Sequence, residues 1–198
     1  MKRIALFGGS FDPVHNAHVA LARTALAHLL LDELRWVPAG KAWQKQRLLA
    51  PAAHREAMVR LAIVGEPLCR IERCELERSG PSYMIDTVRE MQASQEAQWF
   101  LVIGQDQYER LHTWHDWSEL IGRVTLAVAS RDGVPVTPSA ELASQPHALV
   151  TLPLPRVDVS STDIRQRIAD GRDYTDMVPA AVARYIDQHH LYRGNPRS

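Results

Sequence analysis

The stretch Gly8-Gly9-Ser10-Phe11-Asp12-Pro13-Val14-His15-Asn16-Ala17-His18 decides the fold. It follows a short apolar run, Ile4-Ala5-Leu6-Phe7, and leads into an Ala/Leu-rich stretch that starts near Asn16. The order is strand, glycine turn, helix. Such a junction aims backbone N–H groups and the positive end of a helix at one point, which suits an anion. Gly8 and Gly9 let the main chain approach a ligand closely, and take positive φ if the turn needs it. His15 and His18 are three apart, so a helix that begins between them turns both rings towards that point. Imidazole N–H groups there can donate to phosphate oxygens. The spacing is not the dinucleotide pattern G-x-G-x-x-G, because the third glycine is absent. A bare turn is the competing reading, since Gly-Gly and Asp-Pro pairs are ordinary turn residues. Two histidines where a helix entrance normally carries Ser, Thr or Asp favour the anion.

Outward from this loop the chain alternates between strand and helix patterns. Strands are expected at 33–37, 68–76, 99–103, 124–129 and 149–152, and helices at 16–30, 51–64, from a Ser82 cap through 91, from 162 to 169, and from 179 to about 189. Residues 39–50 read as a loop carrying Lys41, Trp43, Lys45 and Arg47, and residues 134–147, with three prolines, as a surface loop. This order implies an α/β fold: a parallel sheet with helices on both faces. Ligands of such folds lie beyond the carboxyl ends of the strands. The glycine loop, Gly104-Gln105-Asp106 and Ser130-Arg131 all sit at that end. With no repeat and no linker, residues 1–198 form a single domain whose last part, about 160–198, is helical.

Lys+Arg and Asp+Glu are each 23 in 198 residues, so the net charge is zero, which argues against a general nucleic-acid surface. No stretch reaches membrane-spanning length, and the apolar run after Met1-Lys2-Arg3 is too short for a signal peptide. The only cysteines, Cys69 and Cys74, lack metal-type spacing. Five apart on one strand, they would face opposite ways and could not pair, which suits a reducing cytoplasm. His112 and His115 have helical spacing but no third ligand nearby in sequence, so zinc is not expected. His189 and His190 read as solvated, Trp36 and Trp99 as core, Trp117 as core or rim, and Trp43 as a ligand lid or interface residue.

The second informative stretch is Ser160-Ser161-Thr162-Asp163-Ile164-Arg165. A well-capped helix start is its plain reading. Arg165 is the odd residue, because the helix dipole disfavours a first-turn cation by about 0.3–1 kcal/mol. A bound anion reverses that penalty through charge-assisted hydrogen bonds, each worth roughly 1.5–3 kcal/mol.

Together, Gly8-Gly9-Ser10-Phe11-Asp12-Pro13-x-His15-x-x-His18 and Ser161-Thr162-x-Ile164-Arg165 resemble the nucleotidyltransferase superfamily, most closely the bacterial nicotinate-nucleotide adenylyltransferases. Pro81-Ser82-Tyr83-x-Ile85-Asp86-Thr87, Ile103-Gly104-Gln105-Asp106, Trp114, and Tyr185-Ile186 to Leu191-Tyr192 extend the likeness over essentially the whole chain. The resemblance implies a Rossmann-like, doubly wound sheet, and transfer of the adenylyl group of ATP to nicotinate mononucleotide, giving deamido-NAD and pyrophosphate. It places His15, His18 and Arg165 at the triphosphate as catalytic residues, and Gly8, Gly9, Ser10, Phe11, Gly104, Asp106, Arg131, Ser161 and Thr162 around ATP. Lys45, Tyr83, Thr87 and Trp114 fall on the nicotinate mononucleotide side. Mg²⁺ arrives with ATP, no dedicated metal ligands are implied, and the chain acts as a monomer or homodimer.

Four departures fall mainly on the acceptor side. Ala17 replaces the usual glycine between the histidines, Trp43-Gln44-Lys45 replaces a Pro-Pro-His-basic run, Ala39 replaces a frequent Asn, and Met84 a frequent Thr. Nicotinamide mononucleotide and pantetheine phosphate are the alternative acceptors, and a non-catalytic nucleotide-binding module is the alternative class. The acceptor phosphate is already an anion, so direct transfer without a general base or covalent intermediate is expected.

Overall fold

The glycine loop ends the strand at the centre of the sheet, β1 (Arg3–Gly9). The computed structural model describes residues 1–40, 50–131, 134–155 and 157–193, with Arg131 by its backbone alone. After β1 come α1 (Asn16–His28), β2 (Glu33–Pro38), α2 (Ala52–Ala62), β3 (Cys69–Ile71), α3 (Cys74–Glu77) and α4 (Met84–Ser94). The second half holds β4 (Gln98–Gly104), α5 (Gln105–Glu109), α6 (Trp117–Arg123), β5 (Thr125–Arg131), α7 (Ala140–Ala143), β6 (Leu149–Leu154), α8 (Ser161–Ala169) and α9 (Ala180–Gln188). The sheet order is β3-β2-β1-β4-β5-β6, every pair parallel. This is the doubly wound order, with its switch point between β1 and β4.

The period of two along the strands explains why both faces are covered. Ala5, Phe7, Trp36, Phe100 and Val102 face one buried cluster, with residues from α1, α2, α8 and α9. Ile4, Leu6, Val37, Leu101 and Ile103 face the other, with residues from α4 and α6.

The ladder register opens the crevice. Pairing of β1 with β4 stops at Leu6–Leu101. Pairing of β1 with β2 continues to Gly9–Pro38, and that of β4 with β5 to Gly104–Ala129. Beyond Leu6 the two halves of the sheet part at their carboxyl ends.

Several expectations are corrected. The strand expected at 68–76 is only Cys69–Ile71, and the chain then turns into α3. Glu75 is the reason: its side chain is buried at 4% exposure and accepts the Thr87 hydroxyl at 3.0 Å, which an extended, alternating strand would not permit. Cys69 and Cys74 therefore lie on different elements, and both thiols are free. Tyr83, not Ser82, is the N-cap of α4, because the Ser82 hydroxyl donates to the Glu75 carbonyl at 3.3 Å. β6 runs through Pro153 to Leu154, which an edge strand tolerates. The stretch 134–147 carries the short helix α7, capped by the Ser139 hydroxyl. Neither Gly8 nor Gly9 has positive φ; both are small because of close neighbours. A Cβ on Gly8 would lie 2.4 Å from Met84 Cε, and one on Gly9 would lie 2.9 Å from the Phe11 ring. Trp36 and Trp99 are core as expected, and Trp117 is a partly buried rim residue. His189 and His190 are exposed. Trp43 and Lys41 lie outside the described residues.

Candidate active site

A cavity of about 460 Å³ fills the crevice between the two halves of the sheet. Gly8, Gly9, Ser10, His15 and His18 line it from the glycine loop, Gly104 and Asp106 from the end of β4, and Ser161 from the start of α8. Tyr83, Met84, Trp114 and His115 form a further wall. Ala129, Leu154, Val157 and Val159 contribute an apolar side. The structure thus brings one polar margin and two apolar ones to a single space, as small-molecule sites require.

The histidine pair has a defined electronic state. His15 is the N-cap of α1 and carries no Ser or Thr chemistry. Its backbone N–H donates instead to His18 Nδ1 at 3.2 Å. That bond assigns the His18 proton to Nε2, leaving Nε2–H as a donor for an anion. The two rings stack, with centroids 3.6 Å apart and planes 22° apart. Burial pushes His15 down to about 4, so it is neutral at pH 7. His15 Nδ1 is buried, with no hydrogen-bond partner among the described residues. A buried donor or acceptor left in that state costs roughly 1–3 kcal/mol, which a ligand at this loop can relieve.

The loop itself is braced from outside. Ser161 Oγ donates to the Pro13 carbonyl at 2.9 Å. Arg165 donates through one terminal nitrogen to the Asp12 carbonyl at 2.7 Å, and through the other to Thr162 Oγ1 at 3.1 Å. Ser160 caps α8 by accepting from the Asp163 N–H at 3.1 Å. Arg165 and Thr162 do not line the cavity, and Arg165 joins the start of α8 to the glycine loop. Phe11 is also off the cavity: its ring is 1% exposed and packs on Phe7, Trp36 and the edge of His18. Phe11 has φ of 47°, an uncommon conformation for a bulky residue, and this packing holds it there. At Gly104 a Cβ would meet nothing within 4 Å, so that side of the cavity has room for a ligand.

The aromatic wall comes from two elements. Tyr83 precedes α4 and stacks on His115, with centroids 4.2 Å apart and planes 29° apart. Trp114 and His115 precede Asp116, whose left-handed backbone (φ 47°) turns the chain into α6. Arg89 of α4 bonds Asp86 at 2.9 Å, Asp116 at 3.4 Å and Glu119, tying the two elements of the wall together. Thr87 lies outside this wall: it is fully buried and donates to Glu75, whose carboxyl is pushed up by burial. Lys45 lies outside the described residues, as does the side chain of Arg131.

Sequence reasoning missed His115 as a wall residue and the apolar side at Leu154, Val157 and Val159, while Met84, noted as a departure on the acceptor side, does line the cavity. His115 had a signal, adjacency to Trp114. The valines had none, because a short Val-x-Val pattern is common in any loop.

The Cytidylyltransferase-like family model matches residues 6–167. A protein of Methylibium petroleiphilum named "Probable nicotinate-nucleotide adenylyltransferase" is 59% identical over 96% of this chain and 92% of its own length. One of Bordetella petrii with the same name is 49% identical over 98% of this chain and 100% of its own. The solved nicotinic acid mononucleotide adenylyltransferase of Plasmodium falciparum, complexed with NaAD, superposes with a TM-score of 0.78 at 19% identity, covering both chains fully.

Proposed function

The chain belongs to the nicotinate-nucleotide adenylyltransferases of the cytidylyltransferase-like family, and we propose that it transfers the adenylyl group of ATP to nicotinate mononucleotide. The products are deamido-NAD and pyrophosphate, as in a step of NAD synthesis. One observation carries the reading: the glycine loop with its two histidines, the start of α8 and an aromatic wall all border one cavity. That arrangement sets a nucleoside triphosphate beside an acceptor that carries a flat ring and a phosphate.

The acceptor's 5′-phosphate oxygen bonds to the α-phosphorus of ATP. The bond from that phosphorus to the bridging oxygen of the β-phosphate breaks, and pyrophosphate leaves with the electron pair. The nucleophile is already an anion, so the protein's task is placement and charge neutralisation. His18 donates from Nε2 to the triphosphate, and neutral His15 donates beside it. Gly8, Gly9 and Ser10 bring backbone groups close. Arg165 braces the loop from α8 and adds positive charge at the same place, with Ser161 and Thr162 around it. Gly104 and Asp106 take the ribose, Trp114 stacks on the pyridine ring with Tyr83 beside it, and the family resemblance assigns Arg131 to ATP and Lys45 to the acceptor. Among the described residues no His, Cys, Asp and Glu group of three or more could hold a metal ion, so we assign Mg²⁺ to the ATP as part of that substrate. Among these residues no helix is long and apolar enough to cross a membrane. The two free thiols support a cytoplasmic setting. The chain works as one catalytic domain, as a monomer or homodimer.

Pyrophosphate release from ATP, measured in parallel with nicotinate mononucleotide, nicotinamide mononucleotide and pantetheine phosphate, tests the reading. Fastest release with the nicotinate compound is expected. Preference for either other acceptor overturns the acceptor assignment, and no release with any overturns the transferase. Mass spectrometry of the enzyme with ATP alone is expected to find no adenylylated His15 or His18.

A further inference from the structure

We propose that Tyr192 is a positioning residue of this transferase, holding the phosphate loop in shape through the buried carboxylate of Asp12. The inference rests on the reading that the loop binds a triphosphate. The Leu191-Tyr192 pair belongs to the family likeness, yet no step of the chemistry uses it.

The Tyr192 hydroxyl donates to Asp12 Oδ1 at 2.8 Å, across 180 residues of sequence. The same oxygen accepts the Ala50 N–H at 3.2 Å. Asp12 is fully buried, and beside it lies Arg55 of α2, 2% exposed. Arg55 donates to the Ser10 carbonyl at 2.9 Å and to the Ala50 carbonyl at 3.0 Å. The carbonyls of Ser10, Asp12 and Pro13 are each held by a side chain, from α2 or from α8. Tyr192 adds the chain's far end to that set. Its approach is directed: just before Tyr192, left-handed His190 (φ 51°) ends α9, with the Leu191 N–H returning to the Ile186 carbonyl at 3.0 Å and the His190 N–H to the Asp187 carbonyl at 3.2 Å. This is the closure that turns a chain back at a helix end.

A buried carboxylate needs its donors, because an unmet acceptor in a dry site is costly. Tyr192 supplies a neutral one. Removing it withdraws one donor from Oδ1, which keeps the Ala50 N–H, and the Ser10–Pro13 turn resettles around the remaining contacts. His15 lies three residues further on. The expected result is a loop that presents Ser10 and the histidines less well to the triphosphate, while the aromatic wall is untouched.

The test uses the full chain, with Tyr192→Phe, Asp12→Asn and the double variant, titrated calorimetrically with a non-hydrolysable ATP analogue. Tyr192→Phe is expected to weaken the Kd by about tenfold, in the range of one hydrogen bond to a charged group, with unchanged stoichiometry. In the Asp12→Asn background the same change is expected to cost less than threefold. A purely structural role would lower the melting temperature or the binding-competent fraction, not the Kd of that fraction. Tyr192→Phe within threefold of the wild type overturns the proposal, as does an equal cost in both backgrounds. If Asp12→Asn does not fold, the Kd of Tyr192→Phe alone decides. A wild type that binds the analogue but transfers nothing to nicotinate mononucleotide refutes the function and leaves the comparison of Kd values standing.

Discussion

The two ends of the cavity are built by different physics. At the glycine-loop end, the proposed phosphate site, neighbouring residues of one loop are fixed by directed hydrogen bonds from buried or half-buried side chains: Arg55, Ser161 and Arg165 on its carbonyls, His18 on the His15 N–H. At the proposed acceptor end, Tyr83 meets His115 from a separate segment by ring stacking, with Trp114 beside His115 on the cavity wall, and an exposed ion-pair network around Arg89 ties the segments behind. Directed bonds in a dry setting fix a shape. Stacking and surface charge give area with less geometric constraint. A polyphosphate presents the same charges whatever the acceptor, so a rigid end and an adaptable end suit the two substrates.

Breaking the rigid end has the largest expected effect. His18→Ala removes a fixed donor, and kcat is expected to fall about 10²- to 10³-fold with the acceptor KM changed little, the scale of losing one preorganised donor to a transition-state oxygen. Steady-state rates decide it, and an unchanged kcat removes His18 from the chemistry.

The rigid end also carries a stability cost at low pH. Folded His15 titrates at about 4 and the unfolded residue at 6.5. Between these values the unfolded chain binds the extra proton, so stability is full above the upper value and declines as pH falls towards the lower. From pH 7 to pH 5 this residue removes about 2 kcal/mol of unfolding free energy. Urea denaturation at the two pH values should show a correspondingly smaller loss in His15→Gln. Equal losses in both proteins would contradict a buried neutral imidazole.

The adaptable end breaks in KM. Trp114→Ala is expected to raise the acceptor KM about tenfold with the ATP KM within twofold, about the worth of one lost aromatic contact. A matching rise in the ATP KM would mean that the ends are not separable. Arg89→Ala sharpens the contrast with the smallest effect, about twofold on the acceptor KM and reduced further by added salt, because exposed ion pairs contribute little.

The same contrast explains what could be read from the sequence. Gly8–His18 and the Ser161 helix start carry glycine, imidazole and cap residues at fixed short spacing, so their meeting at one cavity was legible, and the strands that deliver them were plain in their apolar runs. The acceptor wall depends on which distant segments the fold brings together. Thr87 lies in a motif beside that wall, yet one turn of helix points it into the interior against Glu75. His115, next to Trp114, was weighed in the sequence only as a metal ligand paired with His112, whereas its ring stacks on Tyr83. Phe11 sits inside the loop motif, but its side chain is a core anchor, a distinction that linear spacing does not carry.

A crystal structure with a non-hydrolysable ATP analogue measures the central claim directly, that two margins of one crevice hold one triphosphate. The account predicts phosphate oxygens within hydrogen-bond distance of His18 Nε2 or the Gly9–Ser10 backbone on one side, and of Ser161, Thr162 or Arg165 on the other. A triphosphate held by one margin alone, or lying outside the crevice, would contradict it.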